Sequence, residues 1–328
     1  MRTSIDWTDH TLNPGLYGCT EVSPACRNCY AAKMAHRQEH MGNYPVGTTK
    51  KSAAGIHWSG RVTVDYDRIE KAFAKLPKRK PARVFVTSMS DLFHEDVPFE
   101  FVDRVFVEMS RRQHLTFQVL TKRAERMLAY AKHRDQRGRI WPPNVWAGTT
   151  VEDQKRADER IPHLLRVPAK VRFLSCVPLV GPVDLSVYLN PVDECCGGDG
   201  MGGCPGLEPC HMGRWPLDGD PDQPMSLHFA SIHWVITGGE SGPGARPSNP
   251  EWFRSLRDQC AEAGVPFFFK QWGRWVGEKE YRAVDESIRK GRVVPQNWPD
   301  GQVSITGSRV DDPKTLDEVE HRAFPGVV

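Results

Sequence analysis

"HWVITGGESGPGARPSNPEWFRSLRDQCAEAGVPFFFKQW", residues 233–272, contains one complete unit of the fold. Its end segments, His233–Gly239 and Pro266–Trp272, are short apolar runs rich in β-branched and aromatic residues, which favour strands. Between them, Pro250–Ala263 repeats apolar residues at helical spacing. Asn249 suits the N-cap, Pro250 the first helical position, and Gly264 a left-handed stop. Strand, helix, strand is the unit of a parallel sheet, because a parallel connection has to cross back over the sheet face.

The same alternation runs upstream. Arg83–Met89, His114–Thr121, Asn144–Val151 and Val171–Val177 read as strands, and Phe99–Gln113, Arg123–Lys132 and Glu152–Leu165 as helices. A first strand is expected within Ile5–Asn13 and a helix over about Tyr30–Glu39. The expectation is an α/β fold, a partial (β/α)6-type TIM-like barrel with parallel strands, over residues 1–276. Residues 188–227, dense in Gly, Pro, Asp and Cys, read as an insertion between the fifth and sixth strands, and 277–328 as a C-terminal extension packed on the barrel.

A net charge of +3 over 328 residues does not by itself establish a nucleic-acid partner, although Lys78–Lys80 and Lys122–Arg123 are local basic runs. No stretch approaches the roughly 20 apolar residues that span a bilayer, and no secretory leader pattern opens the chain. The expectation is a cytoplasmic protein with no membrane partner. Nine cysteines in such a chain point to metal ligation or redox chemistry before disulfides.

Three of them, Cys19, Cys26 and Cys29, stand in the spacing C-x6-C-x2-C directly ahead of the helix at Tyr30. A structural zinc ion takes four protein ligands. A [4Fe-4S] cluster held by three thiolates leaves one iron open to a further ligand. The spacing therefore suits a cluster, with Tyr30 as its shield from water. The other readings are zinc completed by His10 or His36, and free thiols. Cys195, Cys196, Cys204, Cys210 and His211 form a second group within the insertion, which has too little apolar surface to order itself. Zinc, a second cluster or a disordered flap would each account for it. Cys176 and Cys260 read as buried apolar positions.

Parallel βα folds carry their chemistry in the loops after the strands. Here those loops begin with Ser88, Ser90 and Asp91; Thr121, Lys122 and Arg123; Thr149, Thr150 and Glu152; Ser175 and Cys176; Gly238, Gly239 and Glu240; and Lys270 and Gln271. Lys122, Arg123, Arg246, Lys270 and Gln271 are candidates to bind a substrate's phosphates or carboxylates; ion pairing of the cations with Glu125, Asp91 or Glu240 is the plainer use. His94 and Glu95 suit proton transfer or a structural role, and Trp272 and Trp275 either stack on a base or fill the core.

Six segments in order over about Trp7–Trp275, "GCTEVSPACRNCYA", "SMSDLFHEDVP", "FQVLTKRAERM", "PPNVWAGTTVEDQ", "GGESGPGARP" and "FFFKQWG", resemble a phage-associated three-Cys-motif family of unknown function, grouped with the radical S-adenosylmethionine (SAM) superfamily. The resemblance implies a [4Fe-4S] cluster on Cys19, Cys26 and Cys29. Its open iron chelates SAM, and an electron from a reductase or flavodoxin-type donor cleaves SAM to methionine and a hydrogen-abstracting 5′-deoxyadenosyl radical. It further implies Ser88, Ser90 and Asp91 near the methionine amino group and Thr150 and Glu152 near the ribose. Gly238, Gly239 and Glu240 would lie near adenine or methionine, or form a tight turn. The phage setting implies a nucleotide or DNA base as substrate, an isomerisation or rearrangement, and the host cytoplasm as location. Two departures stand out: the superfamily spacing is C-x3-C-x2-C, and Val177 occupies a place where the family is expected to carry Glu. The alternative function is a non-catalytic, zinc-stabilised nucleic-acid-binding protein.

Overall fold

The computed structural model describes residues 3–53, 55–189, 231–283, 294–306 and 314–326. Seven strands form one sheet: β1 (His10–Leu12), β2 (Ala82–Val86), β3 (Leu115–Thr121), β4 (Val145–Thr150), β5 (Arg172–Cys176), β6 (Trp234–Gly238) and β7 (Phe267–Gln271). Spatial order follows chain order, and every neighbouring pair is parallel. The sheet curls into an open half-barrel, one strand longer than a sixfold count. Helices α1 (Tyr30–His40), α2 (Phe99–Ser110), α3 (Ala124–Asp135), α4 (Gln154–Leu165) and α5 (Pro250–Glu262) lie in five of the six crossovers, the connection from β5 to β6 running in part outside the described residues.

The strands read as continuous apolar runs because both faces are covered. Side chains alternate across a strand. On the outer face Val84, Val86, Phe117, Val119, Val145, Ala147, Leu174, Val235, Phe267 and Phe269 join the core under the helices. On the inner face Phe85, Trp146, Phe173, Trp234, Ile236 and Phe268 form a second cluster with Trp7. Cys176, Cys260 and Trp272 are buried in the outer core, as their positions in the pattern require.

The helix signals act as expected. Asn249 accepts a hydrogen bond from the Glu251 N–H at 2.9 Å, Asp153 does the same for Arg156 at 2.9 Å, and Gly264 takes a positive φ of 65°. Several short elements carry too little periodicity to be read from sequence: the hairpin Thr49–Ser52 with Gly55–Trp58, the helix Asp67–Phe73, and a three-stranded antiparallel sheet of Val276–Gly277, Val294–Asn297 and Val303–Thr306. The described parts of the C-terminal extension pack on the half-barrel. The Ser304 hydroxyl donates to the Ser248 carbonyl at 2.7 Å, and the Phe324 ring lies tilted against Trp234 with centroids 5.2 Å apart. Among the described residues, no helix is long and apolar enough to cross a membrane.

Candidate functional site

The three thiols lie on the loop that leaves β1. Gly18 opens it with φ of 84°, and a Cβ there would sit 2.0 Å from the Arg61 carbonyl oxygen, so only glycine fits. Cys26 ends a short 3-10 helix (Pro24–Cys26), and Cys29 is the residue just before α1. Cys19 belongs to neither helix. Cys19 and Cys29 pack with Ala31, Ala32, Ala35 and Trp58, so the thiols have a dry wall on one side. Burial, with Asp91, Cys29 and Cys26 nearby, pushes the Cys19 thiol up to about 12, while Arg123 works in the other direction.

The loop is tied to the ends of the other strands. The Tyr30 hydroxyl donates to the Ser88 carbonyl at 2.7 Å, although its ring is 57% exposed. Tyr44 accepts from the Gly18 N–H at 3.0 Å and donates to the Met89 carbonyl at 3.2 Å. Thr87, which leads this strand end, is β-branched yet takes φ of 59°, held by its N–H bond to the Leu12 carbonyl at 2.7 Å. Such strain persists only where the surroundings impose it.

Behind Cys19 stands Arg123, 7% exposed, at the end of β3. Its Nε donates to both oxygens of Glu95 at 2.9 and 2.8 Å. Nη1 donates to Asp91 Oδ2 at 3.0 Å and to Cys19 Sγ at 3.9 Å, and Nη2 to Thr20 Oγ1 at 2.6 Å and the Thr20 carbonyl at 3.4 Å. Asp91 is further held by the Thr121 hydroxyl at 2.7 Å and by the N–H groups of Phe93 and Lys122. Burial works against the Arg123 charge, but Asp91, Cys19 and Glu95 outweigh it and push its pKa further up. His94 joins through a 2.8 Å contact between Nε2 and Thr20 Oγ1, while its Nδ1 accepts from the Asp96 N–H at 3.1 Å. Burial first, then Arg123, pushes the imidazole pKa down, which fits a neutral ring donating from Nε2.

A second clamp lies across the mouth. Glu240 accepts from Arg246 N at 2.8 Å, Nε at 3.0 Å and Nη2 at 2.7 Å, and from Asn28 Nδ2 at 3.0 Å. Asn28 sits between Cys26 and Cys29 and also donates to the Gly244 carbonyl at 2.7 Å, so the cysteine loop bridges β1 and the loop after β6. Burial tends to raise the Glu240 carboxyl, but the Arg246 and Asn28 donors win and hold it below the ordinary carboxylate range.

These contacts revise several expectations. Of the two uses open to Arg123 and Arg246, substrate binding and ion pairing, the structure shows the pairing, with Asp91, Glu95 and Glu240, and Asp91 is engaged in turn. Glu152, expected near a ribose, is fully buried with its Oε2 2.8 Å from Arg160 Nη1. The close approach that Gly239 permits is to the Trp272 carbonyl, 1.9 Å from where a Cβ would be, so these glycines serve strand packing. For Arg123 the deciding neighbours lie about 30 residues away in the chain, while Glu152 and Glu240 find theirs eight and six residues on. Ser90 donates to the Leu16 carbonyl at 3.3 Å, Gln271 donates to the Gly239 carbonyl at 3.5 Å, and Thr150 is buried at the end of β4. Lys122 and Lys270 are half-buried at the ends of β3 and β7. Trp275 donates to the Ala245 carbonyl at 2.8 Å. Cys195, Cys196, Cys204, Cys210 and His211 lie outside the described residues.

Sequence reasoning missed Thr20, Asn28 and Trp58. An open cleft of about 400 Å³, lined by Thr20, Glu21, Lys50, His57, Trp58, Ser59 and Gly60, adjoins the thiol loop. A cleft of about 430 Å³ lies away from it, between Asp67–Phe73 and α2.

Among the described residues, no three His, Cys, Asp or Glu side chains are gathered so as to share one metal ion. His36, a candidate fourth zinc ligand, is bonded to Thr49 Oγ1 at 2.9 Å, and His10, the other candidate, lies in β1 with its backbone in register with Val84. Thiolates on three separate irons of a cubane stand further apart than thiolates on one tetrahedral ion. Among the described residues, the donor set of three thiols on one loop, with no fourth side chain gathered beside them, fits the cluster better than zinc.

Fold and site define a parallel α/β half-barrel with a three-thiol loop across its mouth. The chain belongs to the DUF5131 family, described as a protein of unknown function, whose profile matches residues 2–325. Two solved structures of spore photoproduct lyase, a point mutant and a complex with dinucleoside spore photoproduct, resemble it with TM-scores of 0.37 and 0.32 and identities of 10% and 11%. Each match covers 90% of this chain and 67% of the other. No curated protein matches the chain.

Proposed function

We propose that this protein is a radical SAM enzyme. The observation that carries the reading is the loop of three thiols, without a fourth side-chain donor among the described residues, spanning the carboxyl end of a parallel half-barrel. Cys19, Cys26 and Cys29 would hold a [4Fe-4S] cluster, which supplies, when SAM is bound, the electron that cleaves it and so the radical that abstracts hydrogen. The chain's own part is positioning and exclusion. Trp58 and the alanines of α1 keep water from one side of the thiols, and the Glu240 and Arg123 clamps hold the loop over the barrel. Half-buried Lys122 and Lys270 at the strand ends suit an anionic substrate group. On the resemblance of the six segments, we assign that substrate to the nucleobases or nucleotides and the reaction to isomerisation or rearrangement.

The test is anaerobic purification followed by iron, sulfide and zinc analysis. About four irons per chain is the expected result, lost when Cys19, Cys26 and Cys29 are together changed to Ala. With dithionite and SAM the protein then forms 5′-deoxyadenosine. Zinc without iron, or iron without any 5′-deoxyadenosine, refutes the reading.

A further inference from the structure

A guanidinium has five N–H donors in a rigid planar fork, and every one in Arg123 has an acceptor. One goes to Glu95, two on Nη1 to Asp91 and Cys19, and two on Nη2 to the hydroxyl and carbonyl of Thr20. The acceptors come from two segments far apart in sequence, the cysteine loop and the stretch after β2. The backbone N–H of Arg123 is bonded to Thr121 Oγ1 at 2.9 Å. No substrate donor is left over, so the group's purpose lies in what it already holds.

What it holds is the weakest arm of the thiol loop. Cys26 is carried by its 3-10 helix and Cys29 by the start of α1, but Cys19 has no helix of its own. It is joined to the helix that carries Cys26 through the loop residues 20–23. An N–H directed at a ligand sulfur also withdraws electron density from it, and hydrogen bonds to ligand sulfurs are among the features that set the potential of iron-sulfur groups.

We propose that Arg123 is a positioning residue for the three-thiol centre: it holds Cys19 in place relative to Cys26 and Cys29 and, through its N–H···S contact, raises the reduction potential of the iron-sulfur group they bind. The inference rests on the cluster reading above. Two variants test it. Arg123→Lys keeps the charge and loses the fork; Thr20→Val keeps Arg123 in its acid pocket and removes the hydroxyl that Nη2 and His94 Nε2 share, leaving the Nη2 bond to the residue-20 carbonyl, so it serves should Arg123→Lys not fold.

In the metal-free protein, amide hydrogen exchange at 18–20 is expected to quicken about tenfold in Arg123→Lys, the factor that one lost charge-assisted hydrogen bond is worth, and less in Thr20→Val. In anaerobically reconstituted protein, an EPR-monitored redox titration is expected to show a more negative midpoint potential in Arg123→Lys, or loss of iron from a chain that remains folded. Unchanged exchange together with an unchanged potential in a folded variant that keeps its iron overturns the proposal. A wild-type chain that binds no iron refutes the cluster reading and, with it, the claim on potential, while the exchange comparison still decides the positioning claim.

Discussion

Changing Glu240 to Gln removes one charge from the clamp that joins Asn28 to the loop after β6. The carboxylate is 6% exposed and accepts four hydrogen bonds, three from Arg246 and one from Asn28. Arg246 loses its counterion, but its side chain is 26% exposed, so water compensates in part. An exposed pair contributes up to about 1 kcal/mol and breaking a buried one costs about 3–5 kcal/mol. The expected loss lies between, about 2–4 kcal/mol at pH 7. The pH dependence has a definite sign. The Glu240 carboxyl is held below its ordinary range, so its contribution is fully present above an unfolded pKa of about 4.3 and is lost as pH falls through the lower folded value. Urea unfolding of both proteins from pH 7 to pH 3 measures this. The wild type is expected to exceed Glu240→Gln by the full amount at pH 6–7, with the gap closing below about pH 4. Equal midpoints at pH 7, or a gap that stays constant down to pH 3, refutes the clamp as described.

Other perturbations bear on the same structure. Gly18→Ala places a methyl against the Arg61 carbonyl in a left-handed backbone and is expected to cost about 1–3 kcal/mol, seen as a lower Tm, and to reduce iron retained on desalting. Phe173→Ala empties the inner aromatic cluster beside Trp7 and Trp234, for about 3–5 kcal/mol in denaturant unfolding. Arg160→Met leaves the buried Glu152 carboxylate without its partner and is expected to cost about 3–5 kcal/mol; Arg160→Met with Glu152→Leu recovers most of that in the same assay if the pair itself is the cause.

The strands and crossover helices were legible because each rests on local chemistry. Phe267, Phe268 and Phe269 make their strand apolar on both faces, as a buried parallel sheet requires, and Asn249, Pro250 and Gly264 mark a helix through backbone geometry alone. The thiol spacing and the polar strand ends were legible for the same reason. The roles of the charged side chains were not. For Arg123 and Arg246 the sequence left ligand binding and pairing with Glu125, Asp91 or Glu240 all open, and only the folded chain selects Asp91 and Glu240 and adds Glu95. Likewise Asn28, an ordinary loop residue by spacing, becomes a tether once the β6 loop lies against it. Periodicity, caps and ligand spacing act over a few residues and are written in the chain; which charge neutralises which is an interaction through space, and only the tertiary structure decided it.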